Sequence, residues 1–408
     1  MEPTPATRPG KSRTPDPSSS SDCSNKSYQL WLESERGTRT AIGAPVNFTT
    51  APLPADLAEV DLQFDGTPTE GYSLANIKSS AGHGYAVIFD SRGALRWYRD
   101  FGEQDIFGAR QQTNGNFTVF AGSSNGYTPS EGAFVEVTPA GDSVRSITAL
   151  GSTYTDPHEL VTSFDRHNQH VADYLFGYDI GTVGFATHDL DGAETLALHQ
   201  VLRIDAAGVV DTLIDAHHWS LSDAIEPPEL PDLDHPNSID FDLDGGVIVS
   251  YRSLSAVVKI DPETRAVVWQ LGGVKNQFRF VNDPLGGFDG QHTVRVLPDG
   301  HFLIFDNGWT HTPQMSRAVE YALDTKAMTA TMVWQYRANP PIFNDYTGSV
   351  ERLVNGNTVV GFTREGTFDE VQPDGKRISR GVLSVKPKTA AMPYRVLRIR
   401  SLYDFIPP

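Results

Sequence analysis

NGNFTVF at 114–120, DGGVIVS at 244–250, DGHFLIF at 299–305 and NGNTVVG at 355–361 repeat one pattern along this chain. Each copy is an Asn-Gly or Asp-Gly pair before a mostly apolar run, which is the strongest short signal for a β-hairpin turn. The last three copies begin 55 and 56 residues apart, at positions 244, 299 and 355. A regular period of this kind is typical of a fold built from one repeated unit.

A second kind of hairpin alternates with the first. Its turns read DSRG at 90–93, TPAG at 138–141, DAAG at 205–208, DPET at 261–264 and QPDG at 372–375. Two hairpins make four antiparallel strands, the unit of a β-propeller blade. We therefore predict an all-β chain with a six-bladed β-propeller over residues 67–408, its blades lying near 70–104, 105–152, 153–228, 229–288, 289–343 and 344–403.

The two ends of the chain differ from this repeat. Residues 1–27 are rich in Pro, Ser and Thr, which predicts a disordered tail. Residues 28–66 contain short strand patterns and are predicted to form a small β lead-in module. Because an open ring would leave unpaired strand edges, a strand from 28–66 or from 394–403 should close the propeller. A pair of β-sandwiches is the competing architecture.

Composition excludes several classes of function. The 33 Lys and Arg residues against 51 Asp and Glu give a net charge of -18, which opposes nucleic-acid binding through phosphate contacts. The single cysteine, Cys23, cannot form an internal disulfide or a zinc-cysteine site. No apolar run is long enough to cross a bilayer, and the N-terminus lacks the apolar core of a signal peptide. We expect no nucleic acid and no membrane as partners, and either a monomer or a homodimer.

The repeat register predicts which polar residues meet. Equivalent positions of successive blades form rings around the propeller axis. Seven residues before the Asn-Gly or Asp-Gly turns lie Phe107, Asn237, His292 and Gly348. Eight residues after the first residue of these turns lie Arg252, Asn307 and Thr363. Blade three contributes His158, and His235 shares a strand face with Asn237. We expect His158, His235, Asn237, Arg252 and His292 to meet at one mouth of the central channel.

This cluster is rich in hydrogen-bond donors and poor in carboxylates. Such a site suits an oxyanionic group that arrives from outside, with one neutral imidazole acting as nucleophile or base. Three alternatives stay open at this point. The nearby Asp156, Asp234 and Asp240 could pair with Arg252 in a structural ion network. Three histidines could bind zinc, although the arginine would be repelled. A propeller of the calcium-dependent lactonase or lyase type would need more carboxylates on the axis.

The strings that carry these residues resemble the arylsulfate sulfotransferase family, in particular its shorter branch. They are DPHEL at 156–160, DHPNSID at 234–240, SYR at 250–252, WQLGG at 269–273 and QHTVRVLPDGHFLIFDNG at 291–308. The resemblance covers roughly residues 70–400 in the same motif order. It implies a six-bladed propeller that moves a sulfuryl group from a phenolic sulfate ester to a phenolic acceptor, without phosphoadenosine phosphosulfate and in a ping-pong cycle.

The resemblance also implies roles for single residues. His292 corresponds to the histidine that becomes sulfated, with His235 and Arg252 as further catalytic residues. His158 and Asn237 would bind the substrate, and the aromatic candidates for stacking on its ring are Tyr251, Trp309 and Phe107. No metal and no cofactor are expected. The resemblance implies a periplasmic or secreted compartment, and a non-catalytic propeller that binds an anionic aromatic ligand is the main alternative, beside a metal-assisted hydrolase or lyase.

Overall fold

The computed structural model describes residues 27–30, 33–36, 39–123, 131–183, 194–225, 232–386 and 389–401. Residues 1–26, and with them nearly all of the predicted disordered tail and Cys23, lie outside the described residues. The described part contains no α-helix, only four short 3-10 turns at Leu57–Glu59, Ala216–His218, Leu221–Asp223 and Thr363–Glu365. Accordingly, none of its helices has the length and apolar character that a membrane span requires.

The strands follow one another along the chain in groups. They are β1 (Ser27–Leu30), β2 (Glu33–Arg36), β3 (Arg39–Ile42), β4 (Val46–Thr49) and β5 (Val60–Gly66); β6 (Tyr72–Lys78), β7 (Gly84–Asp90) and β8 (Leu95–Asp100); β9 (Asp105–Gln111), β10 (Phe117–Ser123), β11 (Glu131–Val137) and β12 (Ser143–Ile147); β13 (Tyr154–Phe164), β14 (His170–Val183), β15 (Glu194–Asp205) and β16 (Val210–Asp215); β17 (Pro236–Phe241), β18 (Val247–Tyr251), β19 (Ala256–Ile260) and β20 (Val267–Gly272); β21 (Arg279–Val281), β22 (His292–Val296), β23 (Phe302–Asp306), β24 (Arg317–Asp324) and β25 (Thr329–Tyr336); β26 (Ser349–Arg352), β27 (Thr358–Phe362), β28 (Thr367–Val371), β29 (Arg377–Val385) and β30 (Thr389–Ala390); and β31 (Val396–Ile399).

These strands form six blades, which confirms the predicted six-bladed β-propeller and not a pair of sandwiches. Blades two, three and four are β9–β12, β13–β16 and β17–β20, each in sequence order. Blade five is β22–β25 with β21 paired parallel to β25, and blade six is β26–β29. The first strands of neighbouring blades contact one another, β9 with β13, β13 with β17, β17 with β22 and β22 with β26. These first strands therefore surround the axis.

Both ends of the chain take part in closing the ring. The C-terminal strand β31 pairs with β6 and becomes the innermost strand of blade one, in the order β31-β6-β7-β8. The strand β5, at the end of the 28–66 stretch, pairs with β29 at the edge of blade six. The sequence offered these two segments as alternatives, and the fold uses both, so each covers an edge that would otherwise be unpaired.

Glycine turns and tryptophans explain the regularity of the repeat. The glycines of the four quoted turns all have a positive φ, between 83° at Gly300 and 88° at Gly356, a region that glycine enters without steric cost. Trp97 packs on Phe117 of the next blade, with ring centroids 5.0 Å apart, and Trp269 packs on Phe302 of the next blade at 5.6 Å. The hydrophobic core therefore lies between adjacent blades.

The inner strands of blades two to five each contain a bulge near the end at which they start. The pairing between the first and second strands changes register between Pro236 and Ser238 in blade four, and between His292 and Val294 in blade five. Similar shifts interrupt the first strand pairs of blades two and three. A bulge leaves residues out of the ladder and re-aims their side chains. The four bulges therefore occur at or beside residues singled out by the register, which are polar in blades three, four and five and Phe107 in blade two.

Candidate active site

Three histidines form a row at the mouth where the inner strands begin. His292 is the first residue of β22, His235 directly precedes β17, and His158 lies within β13. The ring centroids of His158 and His235 are 4.7 Å apart, and those of His235 and His292 are 6.3 Å apart. His235 therefore stands between the other two, as the blade register predicts.

Arg252 adjoins this row. Its backbone N–H donates to the carbonyl oxygen of His235 at 2.9 Å, and the residue is 5% exposed. Its guanidinium carbon lies 5.5 Å from the ring centroid of Trp309. The positive charge is close enough to His235 and His292 to help lower the pKa of both. The arginine and the three imidazoles thus lie at the same end of the channel.

The hydrogen bonds of Asn307 determine which nitrogen of His292 carries the proton. The Asn307 Nδ2 group donates to the carbonyl oxygens of Asn344, at 2.6 Å, and Thr347, at 3.0 Å. Its Oδ1 therefore faces His292 and accepts from Nδ1 at 2.9 Å. A neutral imidazole with its proton on Nδ1 has its lone pair on Nε2. The geometry consequently presents Nε2 as the reactive nitrogen.

His292 is held in the neutral form. Burial is the main cause that lowers its pKa well below the usual value, and the charge of Arg252 lowers it further. The side chain is 2% exposed. The backbone N–H of Thr347 donates to Nε2 at 3.3 Å, which is a long hydrogen bond. Among the described residues, Nε2 of His292 therefore accepts one long hydrogen bond.

Each of the other two histidines is oriented by an aspartate. The Nδ1 of His235 lies 2.6 Å from Asp232 Oδ2, and the Nδ1 of His158 lies 2.8 Å from Asp156 Oδ1. A carboxylate accepts hydrogen bonds, so both imidazoles carry a proton on Nδ1 and offer Nε2 to the channel. Burial lowers the pKa of His235 although Asp232 opposes the shift. A neutral His235 can accept a proton on Nε2.

The backbone around these side chains is held in an unusual conformation. His235, Thr293 and Thr347 have φ values of 49°, 53° and 60°, all in the left-handed region that non-glycine residues seldom adopt. Each such residue costs on the order of 1–3 kcal/mol, which the surrounding packing must supply. Strain of this kind clusters at functional sites, and here it occurs at or beside two of the three histidines.

Asn237 lies behind the site and supports it. It is fully buried, and its Nδ2 donates to the carbonyl oxygen of Gln291 at 2.8 Å. The Gln291 side chain in turn donates to Ser250 Oγ at 3.0 Å and to the carbonyl oxygen of Ala256 at 3.0 Å. Blade four thereby holds the backbone that leads into His292. This contact favours a supporting role for Asn237 over the substrate binding that the resemblance implies.

The three aromatic candidates lie in different surroundings. Trp309 sits beside Arg252 at the mouth, packs edge-on against Phe343 at 5.9 Å and donates from Nε1 to the carbonyl oxygen of Asp345. Phe107 contacts Tyr394 at 6.1 Å, and Tyr394 contacts His158 at 5.5 Å. Trp309 therefore lies beside the arginine of the site, whereas Tyr394 connects Phe107 to His158.

Tyr251, in contrast, belongs to a hydrophobic core. It is 1% exposed and packs against Trp219 at 5.3 Å. Its neighbour Arg252 has a side chain beside the histidines, and successive residues near a strand end point to opposite faces. The placement favours a structural role for Tyr251.

A buried ion network lies next to the site along the axis. Glu159 accepts from Arg395 at 2.6 Å and from Arg295 at 2.9 Å, and it lies 3.4 Å from Arg110. These residues come from blades two, three and five and from the segment before β31. Burial opposes ionisation of Glu159, but the arginines lower its pKa to about 2. The carboxylate therefore ties several blades together at the hub.

Two groups of described residues bring three possible metal-ligand atoms within 4.8 Å of one another. They are His199 with Asp232 and Asp234, and Asp299 with His301 and Glu320. In both groups the imidazole is already paired with its carboxylates, His199 Nδ1 with Asp234 at 2.9 Å and His301 Nδ1 with Glu320 at 2.8 Å. These pairs account for both groups without an ion.

Comparison with known proteins adds a family to this geometry. The profile described as Arylsulfotransferase (ASST) matches residues 63–395, which span all six blades. The chain belongs to the arylsulfotransferase family. This confirms the resemblance that the DPHEL, DHPNSID and QHTVRV strings predicted.

One curated member of the arylsulfotransferases is similar over part of its length. Arylsulfate sulfotransferase AssT of Escherichia coli O6:H1 is 32% identical over 133 residues. The aligned stretch covers 27% of this chain and 22% of that protein, or about a fifth of its length. The comparison agrees with membership of the family, and a specific activity for this chain remains a proposal.

Several solved structures align with most of this chain at low sequence identity. A protein of unknown function from Bacteroides caccae is 14% identical, with a TM-score of 0.44 over 82% of this chain and 100% of that one. A streptogramin B lyase is 8% identical, with a TM-score of 0.43 over 85% and 100%. The periplasmic gluconolactonase PpgL of Pseudomonas aeruginosa is 12% identical, with a TM-score of 0.41 over 83% and 99%. At these scores the likenesses say nothing about function.

Several residues that complete the site carry little or no signal in the sequence of this family member. Asn307 occupies a register position, but the sequence gives no reason to place it in the site. Asp156 is visible in DPHEL, where pairing with Arg252 is one open alternative, whereas its carboxylate binds His158. Asp232 and His199 gave no signal, because Asp232 lies before the repeat element and His199 lies in the middle of β15.

Proposed function

We propose that this chain transfers a sulfuryl group from a phenolic sulfate ester to a phenol through a covalent intermediate on Nε2 of His292, without phosphoadenosine phosphosulfate. The observation that carries the proposal is the hydrogen bond from His292 Nδ1 to Asn307, because it leaves the lone pair on Nε2. Membership of the arylsulfotransferase family supports aryl sulfotransfer as the class of reaction.

In the first half-reaction, the Nε2 lone pair of His292 attacks the sulfur of the bound ester. The bond between sulfur and the aryl oxygen breaks, and the oxygen leaves with its electron pair. The sulfuryl group remains on Nε2, while Nδ1 keeps its proton and its bond to Asn307. Arg252 lies beside the row of histidines and supplies a planar set of donors for the sulfuryl oxygens. Such a charge-assisted contact is worth about 1.5–3 kcal/mol.

His235 is the residue best placed to move the proton. Its ring stands between His158 and His292, and its Nδ1 is held by Asp232 at 2.6 Å. A sulfate ester that binds beside it brings negative charge, which raises the pKa of the imidazole and lets Nε2 take up a proton. That proton then passes to the departing phenolate oxygen.

The second half-reaction reverses these steps with a new phenol. Nε2 of His235 accepts the acceptor's hydroxyl proton while the phenol oxygen attacks the sulfuryl sulfur and the bond to His292 breaks. The proton taken here is the one donated to the next leaving group, so atoms and charges balance over a cycle. Trp309, with Phe343 beside it, provides an apolar surface at the mouth for the aryl ring.

The test uses a nitrophenyl sulfate as donor and phenol as acceptor. We expect the parent protein to release nitrophenol and, with no acceptor present, to gain the mass of one sulfuryl group. The variant His292→Ala should lose both properties. The matched control, His217→Ala, removes an exposed histidine near the end of blade three and should keep them.

Two results would count against the proposal. One is equal turnover by His292→Ala and the parent, which would remove His292 from the chemistry. The other is thermal stabilisation of the parent by aryl sulfates with no product formed, since a ligand that binds only the folded state raises its stability without any reaction. The second result would favour a propeller that binds an anionic aromatic ligand.

A further inference from the structure

A fourth imidazole, His199, lies behind the two aspartates that hold His158 and His235. It projects from β15 of blade three and is 4% exposed. Its Nδ1 lies 2.9 Å from Asp234 Oδ1 and 3.4 Å from Asp232 Oδ1, and its Nε2 lies 3.5 Å from Asp156 Oδ2. Both of its ring nitrogens therefore face carboxylates.

Asp156 and Asp232 each contact His199 through one carboxylate oxygen and a histidine of the active site through the other. Asp156 holds His158 through Oδ1 at 2.8 Å, and Asp232 holds His235 through Oδ2 at 2.6 Å. These contacts thus form one continuous chain, which links in order His158, Asp156, His199, Asp232 and His235.

The charge of this arrangement determines the state of His199. A neutral imidazole has a single N–H, so an imidazole with a carboxylate at each nitrogen is best satisfied when both are protonated. Burial alone would lower the pKa of His199, but Asp232 and Asp234 raise it well above the usual value. For Asp156 burial acts in the opposite direction and would raise the pKa, but His158 and His199 hold the pKa of this carboxyl far below its usual value.

We propose that His199 is a positioning residue, a buried imidazolium that holds Asp156 and Asp232 in place and thereby orients His158 and sets the basicity of His235. As a claim about catalysis, this rests on the proposed function, because the two histidines matter only if they bind the sulfuryl group and move its proton. One cation shared by two histidine–aspartate pairs links their protonation, whereas separate pairs would titrate independently.

Two tyrosines lie near His199 and its aspartates in the described part of the chain. Tyr178 of β14 packs on the His199 ring at 5.3 Å, and the pKa of Tyr251 in β18 is raised by burial and by Asp234 and Asp215. His158 and His235 lie on the other side of the aspartates from His199, and the cationic Arg252 lies beyond them. The charge of Arg252 opposes protonation of His235. His199 and the aspartates therefore dominate the local balance of charge.

The sign of the expected effect follows from this balance. The variant His199→Gln removes a positive charge while leaving the aspartates ionised, so the negative potential at the site increases and the pKa of His235 rises. The acidic limb of the pH profile of kcat should move upward by on the order of one pH unit. The KM for the donor should change less, since Arg252 and His292 are untouched.

Three variants separate this role from a structural one. His199→Gln should show the shifted limb, and His199→Lys, which restores a cation, should move it back towards the parent. The matched control His170→Gln alters another carboxylate-paired histidine of the same sheet, 3.1 Å from Asp173, and should leave the profile unchanged. A uniform loss of activity at every pH in His199→Gln, or no recovery in His199→Lys, would overturn the proposal.

A second measurement does not depend on sulfotransfer. In protein labelled with 15N-histidine, His199 should carry protons on both nitrogens at pH 8, and the titration midpoint of His235 should rise in His199→Gln. A singly protonated His199 would overturn the proposal, as would a stoichiometric divalent metal that His199→Gln loses. If the parent shows these titrations but no sulfotransfer, the proposed function fails while the linkage stands.

Discussion

The sharpest test of the reaction scheme is the side chain of Asn307. The substitution Asn307→Ala removes the acceptor at His292 Nδ1 and the two donor bonds to the carbonyl oxygens of Asn344 and Thr347. The proton of His292 is then free to move to Nε2, where it blocks attack on sulfur. Asn307 itself touches no part of the reacting group, so its effect passes through the nucleophile.

The expected magnitude follows from the cost of one unpaired polar group. Leaving a buried donor or acceptor without a partner costs about 1–3 kcal/mol. Because about 1.4 kcal/mol corresponds to a factor of ten in rate, kcat should fall roughly 5- to 150-fold. The KM for the aryl sulfate should stay near the parent value, since Arg252 and the aromatic residues at the mouth are unchanged.

The assay is nitrophenol release with saturating phenol, with thermal unfolding measured in parallel. Asn355→Ala is the matched control, because Asn355 lies in a hairpin turn at the opposite end of blade six and contacts Thr69. Asn307→Asp adds a second readout: a carboxylate at Nδ1 raises the pKa of His292, so the acidic limb of kcat/KM should move to higher pH. If Asn307→Ala kept kcat within twofold of the parent, or lost only donor affinity, the assigned tautomer would be wrong.

Three further outcomes are expected. Arg252→Met removes a charge that helps lower the pKa of His292, so the acidic limb of kcat/KM should rise, and kcat/KM should fall about 10- to 150-fold through the lost donors. Glu159→Gln leaves several buried arginines without their carboxylate and should cost about 3–5 kcal/mol in chemical denaturation, whereas Glu103→Gln at the surface should change stability by less than about 0.5 kcal/mol. Burial raises the pKa of Glu351 to about 7. The folded state therefore holds this proton more tightly than the unfolded chain, and the free energy of unfolding should fall by up to about 3 kcal/mol as the pH rises from about 4.5 to 7. Glu351→Gln should lack that part of the pH dependence, and an unchanged pH dependence in the variant would refute the assignment.

Much of the fold follows from local sequence. Asn-Gly and Asp-Gly turns need a positive φ at glycine, and the apolar runs beside them pair across the turn, so four copies suffice to define the repeat. The register of those turns also placed His292 and Arg252 at the same end of the channel, because residues at equivalent offsets in successive blades are related by the rotation about the axis.

The ends of the chain could not be assigned in this way. Strand β5 and strand β31 carry similar apolar patterns, and nothing local distinguishes an outer strand of blade six from an inner strand of blade one. Pairing partners more than 300 residues away decide between them, Ser379↔Gly66 in one case and Val396↔Ala75 in the other.

By itself, the sequence determined the repeated hairpins, the number of blades and the presence of imidazoles with a guanidinium at matching offsets, because these depend on short-range patterns and on rotational symmetry. Only the tertiary structure decided which atoms of those side chains are available. Asn307 selects the tautomer of His292, Asp156 and Asp232 orient His158 and His235, and His199 contacts both of these aspartates. These partners lie on different strands and blades, and hydrogen bonds at 2.6–2.9 Å depend on bulges and left-handed backbone that no residue pattern specifies.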